Sequence, residues 1–339
     1  LNRLSCRAKD TAIDKELAVN AVKTLMLRSL DYAGVFPPAQ LPMNEAIKEF
    51  AACRNDPNEW LLARFVLPAA RIGEFAQCAA AEMAEAGQTH NPWHLTGLFR
   101  SAASIGDALS ILRSDAQLLR KFVDSHPNAL VVDSCELPLP EELLGTHDQE
   151  LARGFLDAAL QVFDEFNLHG PLFWEVNLNK PFAHFAHAAH QANLSQSGRV
   201  CLKYRTGGLT PAAIVSPEAL ARAFRTASEE RIPFKLTAGL HLPMRHFDTS
   251  VGADLFGFLN VFAAAALSWK HKLSETELIL LLSEKDPQSI IFAADGLSWK
   301  GYHAGISDIR SMRSEGLRSF GSCSFYEPIE ELKSLQLLS

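Results

Sequence analysis

Two lysines stand inside apolar runs, where a cation is hard to keep: Lys203 in the stretch 200–205 and Lys235 in 233–237. An ammonium taken out of water must be paired or lose its proton, and burial lowers its pKa. A second cation nearby lowers it further. A neutral amine is a nucleophile toward a carbonyl carbon, and the product is a Schiff base. The plainer alternative is that each lysine is satisfied by a buried carboxylate, with Glu175, Asp133 and Glu136 as available partners. Glycines follow each lysine: Gly207 and Gly208 after the first, Gly239 after the second. They allow backbone N–H groups to approach a phosphate or carboxylate. Arg205 adds a fixed cation, and Gly321, Ser322 and Ser324 form a third segment able to donate to an anion.

Other residues compete for the chemistry. His241 and His246 follow the Lys235 segment; with Glu175 or Asp133 they could hold a divalent metal. His241 could instead act as a general acid or base. His184, His187 and His190 recur every third residue on one helix, which reads as an exposed stripe. Cys323 has no histidine near it in sequence and reads as packing. Asp31, Tyr32 and Gly34 precede Pro37-Pro38 and read either as a lining or as a rigid turn.

The elements that must carry these residues alternate. After an amphipathic leader helix at 12–28, extended apolar runs occur at 30–35, 60–67, 93–99, 129–136, 172–177, 200–205, 233–237 and 319–325. Helical periods separate them at 43–53, 72–86, 105–124, 149–166, 181–192 and 217–230, with a last helix at 329–338. Strands apolar on both faces imply a parallel sheet covered by helices, and eight of them favour a closed (β/α)8 TIM barrel. Such a barrel takes roughly 250 residues. The surplus of this 339-residue chain falls in the leader, 1–28, and in one insertion at 248–311 between strands seven and eight of a barrel spanning 29–339. The insertion contains an apolar element at 256–269, a helix at 275–283 and a hairpin around Asp295-Gly296. Barrel active sites sit at the C-terminal strand ends, which is where the lysines and glycines fall.

Composition narrows the class. Lys and Arg total 32 against 39 Asp and Glu, a net charge of −7 that argues against a nucleic-acid or anionic-membrane surface. The longest apolar run, Leu255 to Leu267, carries Asn260 and falls short of the roughly 20 residues of a bilayer span. Six cysteines without a C-x-x-C pair fit reduced thiols rather than a zinc ribbon or disulfide framework.

The order K-x-x-T-G at Lys203, K-x-x-x-G at Lys235 and F-G-x-x-S at Phe320 resembles the deoxyribose-phosphate aldolases, class I barrel aldolases. The likeness continues through Leu30-Asp31-Tyr32, through Arg64-Phe65-Val66 with Pro68-Ala69-Ala70-Arg71, and through Phe173-Trp174-Glu175, covering about 28–247 and 318–338. It implies Lys203 as the Schiff-base lysine and Lys235 as the lysine that depresses its pKa. Gly207, Gly239, Gly321 and Ser322 would lie near the phosphate loops. Asp133 would stand for the catalytic aspartate of strand four, with Glu136 competing. Arg205 departs from the small hydroxyl residue of the family, and the insertion has no counterpart there.

The expected activity is therefore carbon–carbon lysis through a lysine Schiff base, on a small anionic carbonyl compound. Lys203, Lys235, Asp133, Glu175 and His241 would be catalytic; Arg205, Gly207, Gly208, Gly239, Gly321, Ser322, Ser324, Asp31 and Arg64 would bind substrate. No cofactor is expected. The alternatives are a divalent-metal barrel lyase, isomerase or hydrolase using His241, His246 and Glu175, and a non-catalytic barrel serving as a scaffold. No nucleic-acid or membrane partner is expected, and a homo-oligomer stays open. The compartment would be the cytoplasm, or an organelle stroma or matrix if 1–9, with Arg3, Arg7 and Lys9 and no acid, is a transit-peptide remnant.

Overall fold

Strands that are apolar on both faces need cover on both, and a parallel sheet curled inside a layer of helices supplies it. The computed structural model describes residues 21–195 and 198–338. Among these, eight parallel strands close into a barrel: β1 (Leu30–Tyr32), β2 (Leu62–Pro68), β3 (Trp93–Leu98), β4 (Leu130–Pro138), β5 (Leu172–Val176), β6 (Val200–Arg205), β7 (Phe234–Thr237) and β13 (Leu317–Ser322). The ring runs β1, β13, β7, β6, β5, β4, β3, β2, so the last strand shuts against the first. Leu30, Asp31 and Tyr32 pair with Phe320, Gly321 and Ser322 at this seam. This is the (β/α)8 architecture expected from the alternation of elements.

Strand alternation sorts the side chains. In β6 the Tyr204 hydroxyl donates to the Ala223 carbonyl at 3.1 Å, in the helix Pro217–Glu229, so Tyr204 faces the helix layer and Lys203 the lumen. The outer helices begin where capping side chains stand: Ser104, Asp148 and Ser216 each accept a backbone N–H of the first turn. The predicted helix at 72–86 is broken into Ile72–Cys78 and Ala80–Thr89 around Ala79. The eighth barrel strand begins two residues ahead of the expected 319, and the leader helix is described at 21–26, its remainder and 1–9 lying outside the described residues.

Between β7 and β13 lie an antiparallel hairpin, β8 (His246–Asp248) with β9 (Ala253–Leu255), and two helices, Phe258–His271 and Glu275–Leu282. A three-stranded antiparallel sheet of β10 (Ile291–Ala293), β11 (Gly296–Trp299) and β12 (Tyr302–Gly305) follows, then the helix Ile306–Glu315. The helix Phe258–His271 is buried from Phe258 through Ser268, and Phe258 and Phe262 lie 5.6 and 5.9 Å from the Phe320 ring. It thus covers β13 in the barrel wall, which explains why its sequence is apolar all round. No helix among the described residues is long and apolar enough to cross a membrane.

Candidate active site

Strand register brings the two lysines together. Lys203 of β6 lies directly opposite Lys235 of β7, and Glu175 of β5 directly opposite Lys203. Paired residues on neighbouring strands share a face, so both amines enter the lumen. Between them stands Glu136 of β4. Its Oε2 is 2.6 Å from Lys203 Nζ and its Oε1 2.5 Å from Lys235 Nζ. Lys203 also meets Glu175 Oε2 at 2.8 Å, and Lys235 also donates to Asp31 Oδ2. All of these but Glu175 are buried.

This pairing reverses the expected electrostatics. Burial alone would pull the Lys203 amine down, but the Glu136 and Glu175 carboxylates outweigh it and raise the pKa. Burial likewise works to raise the Glu136 carboxyl, and the charges of Lys203 and Lys235 more than reverse that, holding it down at about 2. Two adjacent cations were expected to drive one amine neutral. A carboxylate lodged between them offsets that repulsion, and Lys203 is held in its charged form.

Asp133 lies elsewhere. Its Oδ2 lies within ion-pair distance of Arg64 Nε at 3.2 Å and faces His94 Nδ1 at 2.9 Å, and it forms no ion pair with either lysine. Arg64 in turn meets Asp31 Oδ1 at 3.3 Å, and Ser319 Oγ donates to Asp31 Oδ2 at 2.6 Å. Asp133 and Glu136 are three apart, which strict alternation would put on opposite faces. A register shift resolves this: Leu95 pairs with Val132 but Thr96 with Ser134, leaving Asp133 as the extra residue of a bulge.

Above the lysine floor opens a cavity of about 820 Å³, at the C-terminal ends of the strands. Glu136, Lys203, Arg205, Gly208, Gly239, His241, His246 and Gly321 all line it. Pro37 and Pro38 form part of the rim, and the β8–β9 hairpin overhangs it through His246 to Val251. Arg205 has no acidic partner among the described residues and offers its charge to the opening. Lys235, Asp31 and Arg64 support the floor from behind rather than lining it.

The glycines are explained by close approach of two loops. A Cβ on Gly207 would lie 3.0 Å from the Gly239 Cα, and Thr206 Oγ1 donates to the Ala238 carbonyl at 2.6 Å. Gly239 has φ +75° and Ala238 φ +67°, so the chain after β7 makes two left-handed steps, a strained path for alanine. Ser322 and Ser324 are engaged with their own segment. Ser322 Oγ donates to the Ser324 carbonyl at 2.7 Å, and Ser324 Oγ accepts the Glu327 N–H at 3.2 Å, ahead of the helix Tyr326–Ser334.

The proposed metal trio is not brought together. His246 Nδ1 faces the Met244 carbonyl at 3.0 Å, Glu175 holds Lys203, and His241 Nδ1 faces Glu327 Oε2 at 3.1 Å. Among the described residues no group of three or more His, Cys, Asp or Glu could hold a metal ion. The histidine stripe joins neighbouring helices: His187 meets Glu230 at 3.3 Å, and His190 the Glu230 carbonyl at 2.8 Å. Two cavity residues were missed from the sequence. Glu327, the partner of His241, was not considered at all, and Cys323, read as packing, lines the cavity.

No protein-family model matches the chain, and no curated protein matches it. Among solved structures, the chain is similar to the catalytic module of a family 98 glycoside hydrolase from Streptococcus pneumoniae TIGR4, solved with the H-disaccharide blood group antigen. The TM-score is 0.36 and the identity 11%, over 68% of this chain and 41% of that one, so the chain spans under half of its length. That likeness carries no argument about activity.

Proposed function

We propose that the chain is a barrel enzyme that forms an imine between Lys203 and a small anionic carbonyl compound and breaks or makes a carbon–carbon bond beside it. The observation that carries this reading is Glu136, which lines the cavity with Lys203 and bridges its amine to that of Lys235 behind the floor. The resemblance to class I aldolases in the lysine motifs supports it. In the reaction the ammonium of Lys203 and the carbonyl compound give an iminium and one water, so charge and atoms balance without another reactant. Loss of the Lys203 proton precedes attack; Glu136 is the carboxylate in contact with it inside the cavity, and Lys235 keeps Glu136 ionised. The iminium then draws electrons from the neighbouring C–C bond, and Arg205 holds the anionic group of the substrate.

Borohydride reduction in the presence of pyruvate and glyceraldehyde 3-phosphate tests this. A reduced adduct is expected on the peptide bearing Lys203 and is lost in Lys203→Met. Because the pairing raises the Lys203 pKa, the neutral fraction is small at pH 7, and the trapped yield should climb as pH rises through the alkaline range. Absence of an adduct across a broad panel of aldehydes and ketones would sink the reading. One observation favours a second reading, a binding barrel without catalysis: the lysines are saturated by carboxylates, as structural ion clusters are. That reading expects no adduct at any pH.

A further inference from the structure

We infer that the ligand of the cavity is an anion with an apolar tail the size of an aromatic ring, its anionic group at Arg205 and its tail covered at the mouth by Leu209 and Phe247. That ligand is the carbonyl compound of the proposed reaction, and the placement of its carbonyl at Lys203 rests on that reading. A singly exposed apolar side chain needs no account, but two that line one cavity do. Leu209 and Phe247 are 61% and 59% exposed, and both line the cavity above the lysine floor. Leu209 lies on the loop just beyond Arg205, and Phe247 is the middle residue of β8. The segments that carry them meet: a Cβ on Gly252, in the turn of the β8–β9 hairpin, would lie 3.8 Å from Pro211 Cγ. Phe36, Leu242 and Val251 continue the apolar lining.

Size and charge choose the ligand. Small-molecule sites run from about 300 to about 1,000 Å³. At about 820 Å³ this one stands near the upper end. A three-carbon acid would fill little of it and leave both exposed side chains in water. The acids of the lining are already engaged: Glu136 by two lysines, Glu327 by His241 at 3.1 Å, and Asp248 by the Ser250 and Val251 N–H groups at 2.8 and 3.0 Å. Arg205 has no acidic partner among the described residues, so it is the charge left for a ligand to meet. Arg205 and Lys203 are two apart on β6 and share the lumen face, so their backbones are about 7 Å apart along the strand, with Arg205 nearer the mouth. A ligand running from Lys203 past Arg205 to Leu209 and Phe247 is polar at its inner end and apolar at its outer end. The hairpin is braced for this contact: Asp254, paired with Phe247 across it, meets Lys285 Nζ at 2.8 Å.

Phenyllactate and lactate test the tail without the imine, since neither carries a ketone or aldehyde. Ligand-detected NMR titration of the full chain reads their affinities. Phenyllactate should bind at least about tenfold tighter, the gain expected from covering one phenyl ring. Phe247→Ser and Leu209→Ser should each cut that preference by about threefold or more, while lactate binds them as it binds the wild type, which shows the floor intact. Arg205→Gln should weaken both acids alike and leave their ratio in place. Phenylpropanol, with the ring and no charge, should bind at least about tenfold more weakly than phenyllactate. Affinities of the two acids within about twofold of each other, or a preference unchanged in both serine variants, would overturn the tail site. Neither acid binding, or phenylpropanol matching phenyllactate, would overturn the anionic head. A missing borohydride adduct at Lys203 removes the imine and leaves these titrations standing. An adduct with pyruvate and no preference for phenyllactate keeps the imine and overturns the tail. The wild-type ratio decides this even where a variant fails to fold.

Discussion

A single carboxylate sets the charge state of the barrel floor. Glu136 touches two ammoniums, so Glu136→Gln leaves Lys235 with Asp31 alone and Lys203 with Glu175 alone. Breaking a buried pair from one side typically costs about 3 kcal/mol or more. Because the folded pKa of Glu136 is depressed from 4.5 to about 2, its contribution is complete above the unfolded value and fades as pH falls through the folded one. The stability gap between wild type and Glu136→Gln should therefore be about 3 kcal/mol at pH 7 and narrow between about pH 4.5 and 2, read from urea midpoints. A gap that stays constant with pH would show that Glu136 is not held ionised by its neighbours. The lysines themselves were legible from sequence, because an ammonium in an apolar strand announces a buried partner. That the partner is Glu136 rather than Asp133 was not, because the β4 bulge resets the alternation from which facing residues are counted. The pair His241 and Glu327 was opaque for another reason: it joins the loop after β7 to the helix Tyr326–Ser334, which no local spacing encodes.

Long elements with a clear period were readable, and short or uniformly apolar ones were not. The barrel strands and the amphipathic helices Ile105–Asp124, Gln149–Glu165 and Pro217–Glu229 fall close to their expected places. The strands β8 to β12 are three or four residues long, too short to show alternation, and only the turn at Asp295-Gly296 betrayed one hairpin. The helix Phe258–His271 lacks a polar face, so its periodicity is silent; its one buried amide, Asn260, reveals its role. Asn260 Oδ1 accepts the Arg245 N–H at 2.8 Å, and its Nδ2 donates to the Leu281 and Glu284 carbonyls, each at 2.9 Å. The side chain therefore ties the loop after β7, which carries His241, to the helix Glu275–Leu282. Asn260→Leu would strand these groups, costing about 3 kcal/mol by the usual penalty for unsatisfied buried polar atoms. Denaturant unfolding measures this directly; a loss under about 1 kcal/mol would mean that the loop finds other partners.

The whole molecule closes at one seam, where a strand of three residues, β1, pairs with β13 and β2. At three residues β1 is the shortest barrel strand, so its backbone ladder to either neighbour is short. Asp31, at the middle of β1, compensates through side chains: it engages Lys235 of β7, Arg64 of β2 and Ser319 of β13, so four strands share one carboxylate. The same residue that supports the lysine floor thus holds the barrel shut, and site and closure should fail together. Asp31→Asn keeps the shape but removes the charge, and about 3 kcal/mol of stability should go with it. Hydrogen exchange locates the effect. Protection should fall in β1 and β13 together, ahead of β4 and β5 on the far side of the ring, because opening the seam frees both partners at once. Uniform loss across all eight strands would instead mean that the barrel opens only by global unfolding, and that Asp31 stabilises the floor without acting as a clasp.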